Sequence, residues 1–312
     1  MPDWAPSEVL QAAADVRRAG RPAVPPRPEG RSRRVDQPPS LRQLLPPQRL
    51  LASVPLAGSD TFLQETGLDA IWRRYTFDRR LRLLVLDAVE RVEIAIRTDL
   101  TYCLAHAQGP FGFTSRLNLP NLDDAKYARF IAQIEAEYAN SKEPFIRHFR
   151  EQYGVDHELP PYWIVTELMT FGTLLTMFKG APTLLKQQIG RRYRVSDSVL
   201  ESWLGTINVV RNICAHHGRL WNRELGFKPK IPRHDPRWRQ PVMVAGGRVF
   251  VVLTILKYML DEIAPQSRWP ARLNALLAEY PDIPLHHMAF PTDWRLCPIW
   301  AAPSTEGPTL PP

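Results

Sequence analysis

The stretch FDRRLRLLVLDAVERVEIAIRT, residues 77–98, decides the fold class. Leu83, Leu84, Val85, Leu86, Val89, Val92, Ile94 and Ile96 recur among charges at a helical period, not an alternating one, as in an amphipathic helix. Asp87 with Arg91, and Glu93 with Arg97, are acid-then-base pairs four residues apart, and such a pair adds about 0.2–0.5 kcal/mol to a helix. From Phe62 to Ala105 there is no proline and one glycine, Gly67, and Gly109-Pro110 comes next as a stop. One long helix is therefore predicted around Arg80–Leu100.

Further helices are predicted outward from it: Asp123–Asn140, Phe145–Gln152, Tyr162–Lys179, Pro182–Tyr193, Asp197–His217, Gly246–Ile263 and Trp269–Tyr280. Pro160-Pro161 opens the third of these, where a missing N–H is harmless, and Ser196 is the candidate N-cap of the fifth. Gly172 is expected to permit close helix approach. A proline-rich loop fills 226–241. No segment alternates with period two and no internal repeat is visible, so the fold class is all-α, a helical bundle.

The chain has 312 residues, 44% of them hydrophobic, enough for one sizeable domain. Its 31 prolines crowd the first sixty and last thirty residues. Residues 19–40 are rich in proline, glycine and arginine and too poor in large apolar side chains to offset their ordering entropy. The expected organisation is a largely disordered or altered segment 1–56, a helical domain 57–300 and a disordered tail 301–312. Short helices are expected near Ser7–Arg18 and Leu41–Val54.

Net charge is +8, which favours polyanionic partners such as nucleic acid or an anionic membrane surface. The three cysteines, Cys103, Cys214 and Cys297, are widely spaced with no CxxC. A disulfide framework and a zinc module are not expected, and a reducing cytosol fits. The first residues lack a basic-then-apolar leader pattern. The longest apolar run, about Val249–Leu256, is far short of the ~20 residues a membrane span needs. A cytoplasmic protein without membrane contact is expected.

The helix at Asp197–His217 carries the candidate chemistry. Leu200, Trp203, Leu204, Ile207, Val210 and Cys214 form its apolar side, and Arg211 comes four residues after Ile207. Arg211 is expected on that same side, and a guanidinium on a mostly apolar stripe is costly unless it is paired or awaits an anion. Asn208, Asn212 and His216 form a polar ridge at i,i+4, flanked by His217 and Arg219. RNA supplies its own nucleophile, the 2′-hydroxyl. A metal-free ribonuclease needs a group that titrates near neutrality to move a proton, and histidine does so. It also needs a fork for phosphate oxygens, which arginine provides. One helix offers a single set, and a two-fold dimer would supply two. Arg211, Asn212 and His216 are the catalytic candidates, His217 and Asn208 secondary ones. Arg219, Arg223, Arg191 and Arg192 are candidates for an RNA-binding rim.

Blander roles stand beside these. Arg211 can be a structural arginine paired with Glu90, Glu93 or Glu167, and the histidines can be satisfied polar groups at a helix end. Cys214 with His217 is an i,i+3 pair, but zinc needs about four ligands; no metal site and no cofactor are expected. Asp87, Glu90, Glu93 and Arg97 either hold the Arg211 helix or form a solvated face. His286-His287 is read as a structural loop pair.

Arg211-Asn-Ile-Cys-Ala-His216 has the spacing Arg-x4-His with a polar residue after the arginine, and resembles the signature of HEPN-superfamily ribonucleases. The longer run VRNICAHHGRLWNR, 210–223, resembles the Abi-like (abortive infection, AbiD/AbiF) family. So do residues 77–98, LPPYWIVTELMTFGTL at 159–174 and MAFPTDWRLCPIW at 288–300. The resemblance covers roughly 57–300. It implies an all-α bundle of HEPN type with extra helices and a role in phage defence or a toxin-like system. It also implies an RNA substrate and a homodimer, with Arg211, Asn212 and His216 inheriting the active-site role. An antitoxin or phage protein is an implied further partner. Upstream the chain departs from the family: where a stretch resembling YYRLSGY is usual, it has Leu50-Leu51-Ala52-Ser53-Val54-Pro55-Leu56, which reads as an altered or frameshifted N-terminus. The alternative function is a non-catalytic RNA-binding or protein-binding helical module of a defence system.

Overall fold

The structure, a computed structural model, describes residues 68–301. The expected helices near Ser7–Arg18 and Leu41–Val54, the 19–40 segment, the 50–56 departure and the tail after Ala301 lie outside the described residues.

The described residues form nine α-helices and no strand: α1 Leu68–Gln108, α2 Asp124–Asn140, α3 Pro144–Tyr153, α4 Tyr162–Leu168, α5 Phe171–Gly180, α6 Thr183–Arg192, α7 Asp197–Ala215, α8 Val249–Ile263 and α9 Trp269–Glu279. The fold is all-α, as the periodicity predicts. Helix α1 is the axis. Its 41 residues run about 60 Å at ~1.5 Å per residue, and α4 to α9 all pack on it. The face it buries is Phe77, Leu81, Val85, Val92, Ile96, Leu100 and Leu104, each 0% exposed, at the three-to-four-residue spacing of one helix side. Both predicted i,i+4 pairs form, Asp87–Arg91 at 3.6 Å and Glu93–Arg97 at 3.0 Å.

Helix α8 is buried on every side from Val249 to Leu260. Its Lys257 is tolerated there because the ammonium reaches Asp261 at 2.6 Å. The loop 226–241 is seated by aromatic packing. Trp238 lies 5.2 Å from Trp203 of α7 and 5.3 Å from Tyr258 of α8, and the Trp203 indole N–H donates to the Lys230 carbonyl at 2.8 Å. The C-terminal block closes the other side of α8, with Phe290 at 4.7 Å and Trp300 at 6.3 Å from Phe250.

The helix predicted over Tyr162–Lys179 is two helices. Met169 (ψ 134°) and Thr170 (ψ 162°) leave the helical region, and the Thr170 hydroxyl accepts from Thr173 N–H at 3.2 Å, capping α5 as a threonine N-cap does. Helix α1 begins at Leu68 rather than near Arg80, and α7 ends at Ala215 rather than His217. Gly172 faces Asn208 of α7, but a Cβ there would meet the nearest atoms at 3.7 Å and 3.8 Å, an ordinary contact. The close approach is at Gly180, where a Cβ would lie 2.8 Å from Leu122 Cγ.

Candidate functional site

Helix α7 starts on a Ser196 cap, whose hydroxyl accepts from Val199 N–H at 3.3 Å. Its apolar side, Leu200, Trp203, Leu204, Ile207, Val210 and Cys214, is buried against α1, α5 and α6. The opposite side holds Val209, Asn212 and His216, all exposed, with Asn208 and Arg211 half-buried at its edges. Arg211 therefore lies at the boundary of the apolar stripe, not within it. Its Nη1 makes one long contact, 3.4 Å to Asn212 Oδ1. Among the described residues no carboxylate lies within ion-pair distance of it. Glu93 and Glu167 go to Arg97, at 3.0 Å and 3.7 Å, and Asp87 goes to Arg91 and Arg272. The charged face of α1 does not reach the candidate arginine.

The end of α7 is a tight reversal. His216 N–H donates to Asn212 O at 3.0 Å, His217 N–H to Cys214 O at 3.1 Å and Gly218 N–H to Ile213 O at 2.8 Å. This is the Schellman pattern that satisfies the last helical carbonyls. His217 takes the left-handed position, φ 56°, where a residue with a Cβ costs about 1–2 kcal/mol relative to right-handed backbone. The turn leaves both His216 and His217 exposed at the helix end.

The segment leaving the turn is latched to α1. Asp78, 4% exposed, accepts through Oδ1 from Leu220 N–H at 2.9 Å and Trp221 N–H at 2.7 Å, and its other oxygen pairs with Arg82. Arg82, 6% exposed, also points at the Gly218 carbonyl, 3.5 Å away. Burial pushes the Asp78 carboxyl above the ordinary carboxylate range, although both N–H donors and Arg82 favour its charged form. A second brace comes from Arg248, whose Nη1 donates to Asn222 Oδ1 at 3.0 Å and His287 O at 2.9 Å. The His287 ring stacks on Trp221, centroids 5.8 Å apart; burial holds its pKa below the usual imidazole value. His287 is thus packing, in a short 3-10 turn, as expected. Three of the sequence blocks, at 77–98, 210–223 and 288–300 with its approach, meet around this one turn.

The structure gathers Arg211, Asn212, His216, His217 and Asn208 on one end of α7, with Arg219 and Arg223 on the exit segment. Arg223 is exposed and its Nη1 donates to Arg219 O at 3.2 Å. Arg191 and Arg192 are elsewhere. They end α6, whose Gly190 abuts Val195 and Asp197 at the start of α7, about 20 Å from Arg211 by the rise of the helix, ~1.5 Å per residue. Arg192 pairs with the buried Asp99, which also accepts from Tyr193 Oη at 2.6 Å. Sequence alone did not single out Asp78, Arg82 and Arg248. The available signal was Asp78 and Arg82 spaced i,i+4 on the apolar side of α1 beside Leu81. Cys214 is buried, and burial pushes its thiol up to about 12. Among the described residues no three His, Cys, Asp or Glu side chains gather as a metal-binding group, and no helix is long and apolar enough to cross a membrane.

A family model described as Abi-like protein matches residues 45–222, more than half of the chain. The match takes in residues 50–56, expected from the sequence to depart from the family, and ends at Asn222, before the 288–300 block. No curated protein and no solved structure matches the chain. With the span from α1 through the Arg-x4-His helix inside that match, the chain belongs to the Abi-like protein family.

Proposed function

We propose that the chain is a metal-independent endoribonuclease of an abortive-infection or toxin-like phage-defence system. Family membership supports the defence role. The observation that carries the chemistry is Arg211: a guanidinium at the rim of a helix end, without a carboxylate among the described residues, one turn before an exposed imidazole. A buried arginine kept for structure is paired; one kept for phosphate is left open.

In this reading the RNA 2′-oxygen attacks the adjacent phosphorus as His216 takes its proton, or His216 protonates the departing 5′-oxygen. The P–O5′ bond breaks and a 2′,3′-cyclic phosphate remains. Arg211 forks onto the non-bridging oxygens, where charge builds up, and Asn212, in contact with it, orients it. Each chain offers one such set, so a homodimer that faces two α7 ends supplies both acid and base.

The test is incubation of RNA with the chain and with Arg211→Ala and His216→Ala, reading product ends. Cyclic phosphate ends from the wild type, in the presence of EDTA, with neither variant active and both fully helical, is the expected result. Cleavage that survives both substitutions, or that EDTA stops, overturns the mechanism. RNA bound but left intact makes the chain a non-catalytic RNA-binding module.

A further inference from the structure

A groove of about 890 Å³ lies between α2, α5 and α6, away from the Arg-x4-His end of α7. Its lining combines the apolar Leu122 and Phe130 with a larger number of polar and cationic side chains. Arg129 and Gln133 come from α2, Thr173, Thr176 and Lys179 from α5, and Lys186 from α6. Two of its four cations are neutralised: Lys186 meets Glu201 at 3.2 Å and Lys126 meets Asp123 at 2.7 Å. Glu201 is the one carboxylate of the lining. Arg129 and Lys179 are exposed, and among the described residues neither has a carboxylate within ion-pair distance. A concave polar surface with two unneutralised cations suits a chain of phosphates better than an apolar or cationic ligand.

The groove also leads somewhere. Its floor includes Gly172, which lies against the Asn208 side chain. On α7, Glu201, Gly205, Asn208 and Asn212 succeed one another at intervals of three or four residues, so they share a helix side. Gly205 leaves that side open, with nothing within 4 Å of where its Cβ would stand. From Glu201 to Asn212 is about 16 Å at ~1.5 Å per residue, a reach of a few nucleotides. His216 stands one turn further on.

We infer that this groove seats the single-stranded flank of the RNA whose backbone is cut at Arg211 and His216, with Arg129 and Lys179 holding its phosphates. The inference rests on the ribonuclease reading for the identity of the ligand. A single strand is required because a duplex holds each phosphate and its 2′-hydroxyl in regular geometry, whereas unpaired nucleotides splay onto a protein surface.

The experiment uses the full chain with His216→Ala, to prevent cleavage, and a fluorescent unpaired oligoribonucleotide, with affinity read by anisotropy across a salt series. Arg129→Glu with Lys179→Glu is compared with Arg239→Glu with Arg295→Glu, which makes the same charge change at exposed positions outside the groove. The groove variant is expected to bind at least about tenfold more weakly and to lower the salt slope by about 1.4, the value for two single-strand phosphates at ~0.7 each. The control should keep the parent slope. Circular dichroism checks that both fold. Equal slopes and affinities in groove and control variants overturn the groove assignment, and wild-type cleavage beside that result leaves the ribonuclease reading standing. Groove-dependent binding without any cleavage keeps the groove and removes the nuclease. Absence of RNA binding in both the wild type and the His216→Ala parent, with no cleavage by the wild type, overturns both.

Discussion

Arg82 and Arg211 carry the same charge on two helices that pack together, and the molecule treats them in opposite ways. Arg82 is 6% exposed and locked to Asp78. Arg97, half-buried, has two carboxylates, Glu93 and Glu167. Arg211 has a neighbouring amide at 3.4 Å. A guanidinium withdrawn from water must be matched by negative charge, and the fold supplies that match where arginine serves structure. At the end of α7 no carboxylate among the described residues supplies it, which leaves the Arg211 guanidinium with hydrogen-bonding capacity to spare.

The contrast can be broken most severely through activity. Arg211→Ala should lower the cleavage rate by at least about 100-fold, the scale for removing a donor aimed at developing charge, yet shift unfolding free energy by no more than about 0.5 kcal/mol, as surface changes do. A large loss of stability in urea titration would place Arg211 with Arg82 instead. Asp78→Ala should do the reverse, destabilising by about 3–5 kcal/mol because it strands Arg82 and two backbone N–H groups. Adding Arg82→Met should restore the part owed to the stranded charge, but not the part owed to the Leu220 and Trp221 donors. Full restoration by the double variant would show that those two bonds contribute nothing.

His217→Gly gives a smaller effect of opposite sign. Relieving a left-handed residue at φ 56° should raise stability by about 1 kcal/mol, read as a higher urea midpoint, with cleavage unchanged; a rate lost together with that gain would bring His217 into the chemistry. The smallest effect belongs to the exposed pairs between α1 and the end of α9. Side-chain hydrogen bonds from Arg80 and Arg73 hold Glu279 and Asp282 below the ordinary carboxylate range. Their folded pKa values are depressed, so their contribution is present above the unfolded value and fades as pH falls through the folded one. Asp282→Asn should flatten the acid limb of the stability profile only slightly, since exposed pairs contribute little. A marked flattening would show these pairs rivalling the buried latch.

Periodicity makes most of the architecture legible in the sequence. The apolar series from Leu81 to Leu104 could only be one side of a helix, and Ser196 marked where α7 starts. The break at Met169-Thr170 was hidden because Leu168, Met169 and Phe171 keep the stretch apolar while Thr170 alone carries the capping signal. The candidate site was legible in part. The spacing of Arg211 and His216 needs no tertiary information, since a helix fixes it. The latch was not legible, because a helical pattern tells which side of α1 is buried but not that Asp78 meets backbone N–H groups 142 and 143 residues away. The same holds for Arg191 and Arg192, which end α6 beside the start of α7, where Arg192 pairs with Asp99 of α1.

The latch between Asp78 and residues 220–221 also has a meaning for synthesis. Helix α1 leaves the ribosome early, and its carboxylate waits for two amides that are made more than a hundred residues later. Until they arrive, the reversal that presents His216 has nothing to rest on. The Arg-x4-His end of α7 is therefore seated on α1 only after residues 220–221 have been made.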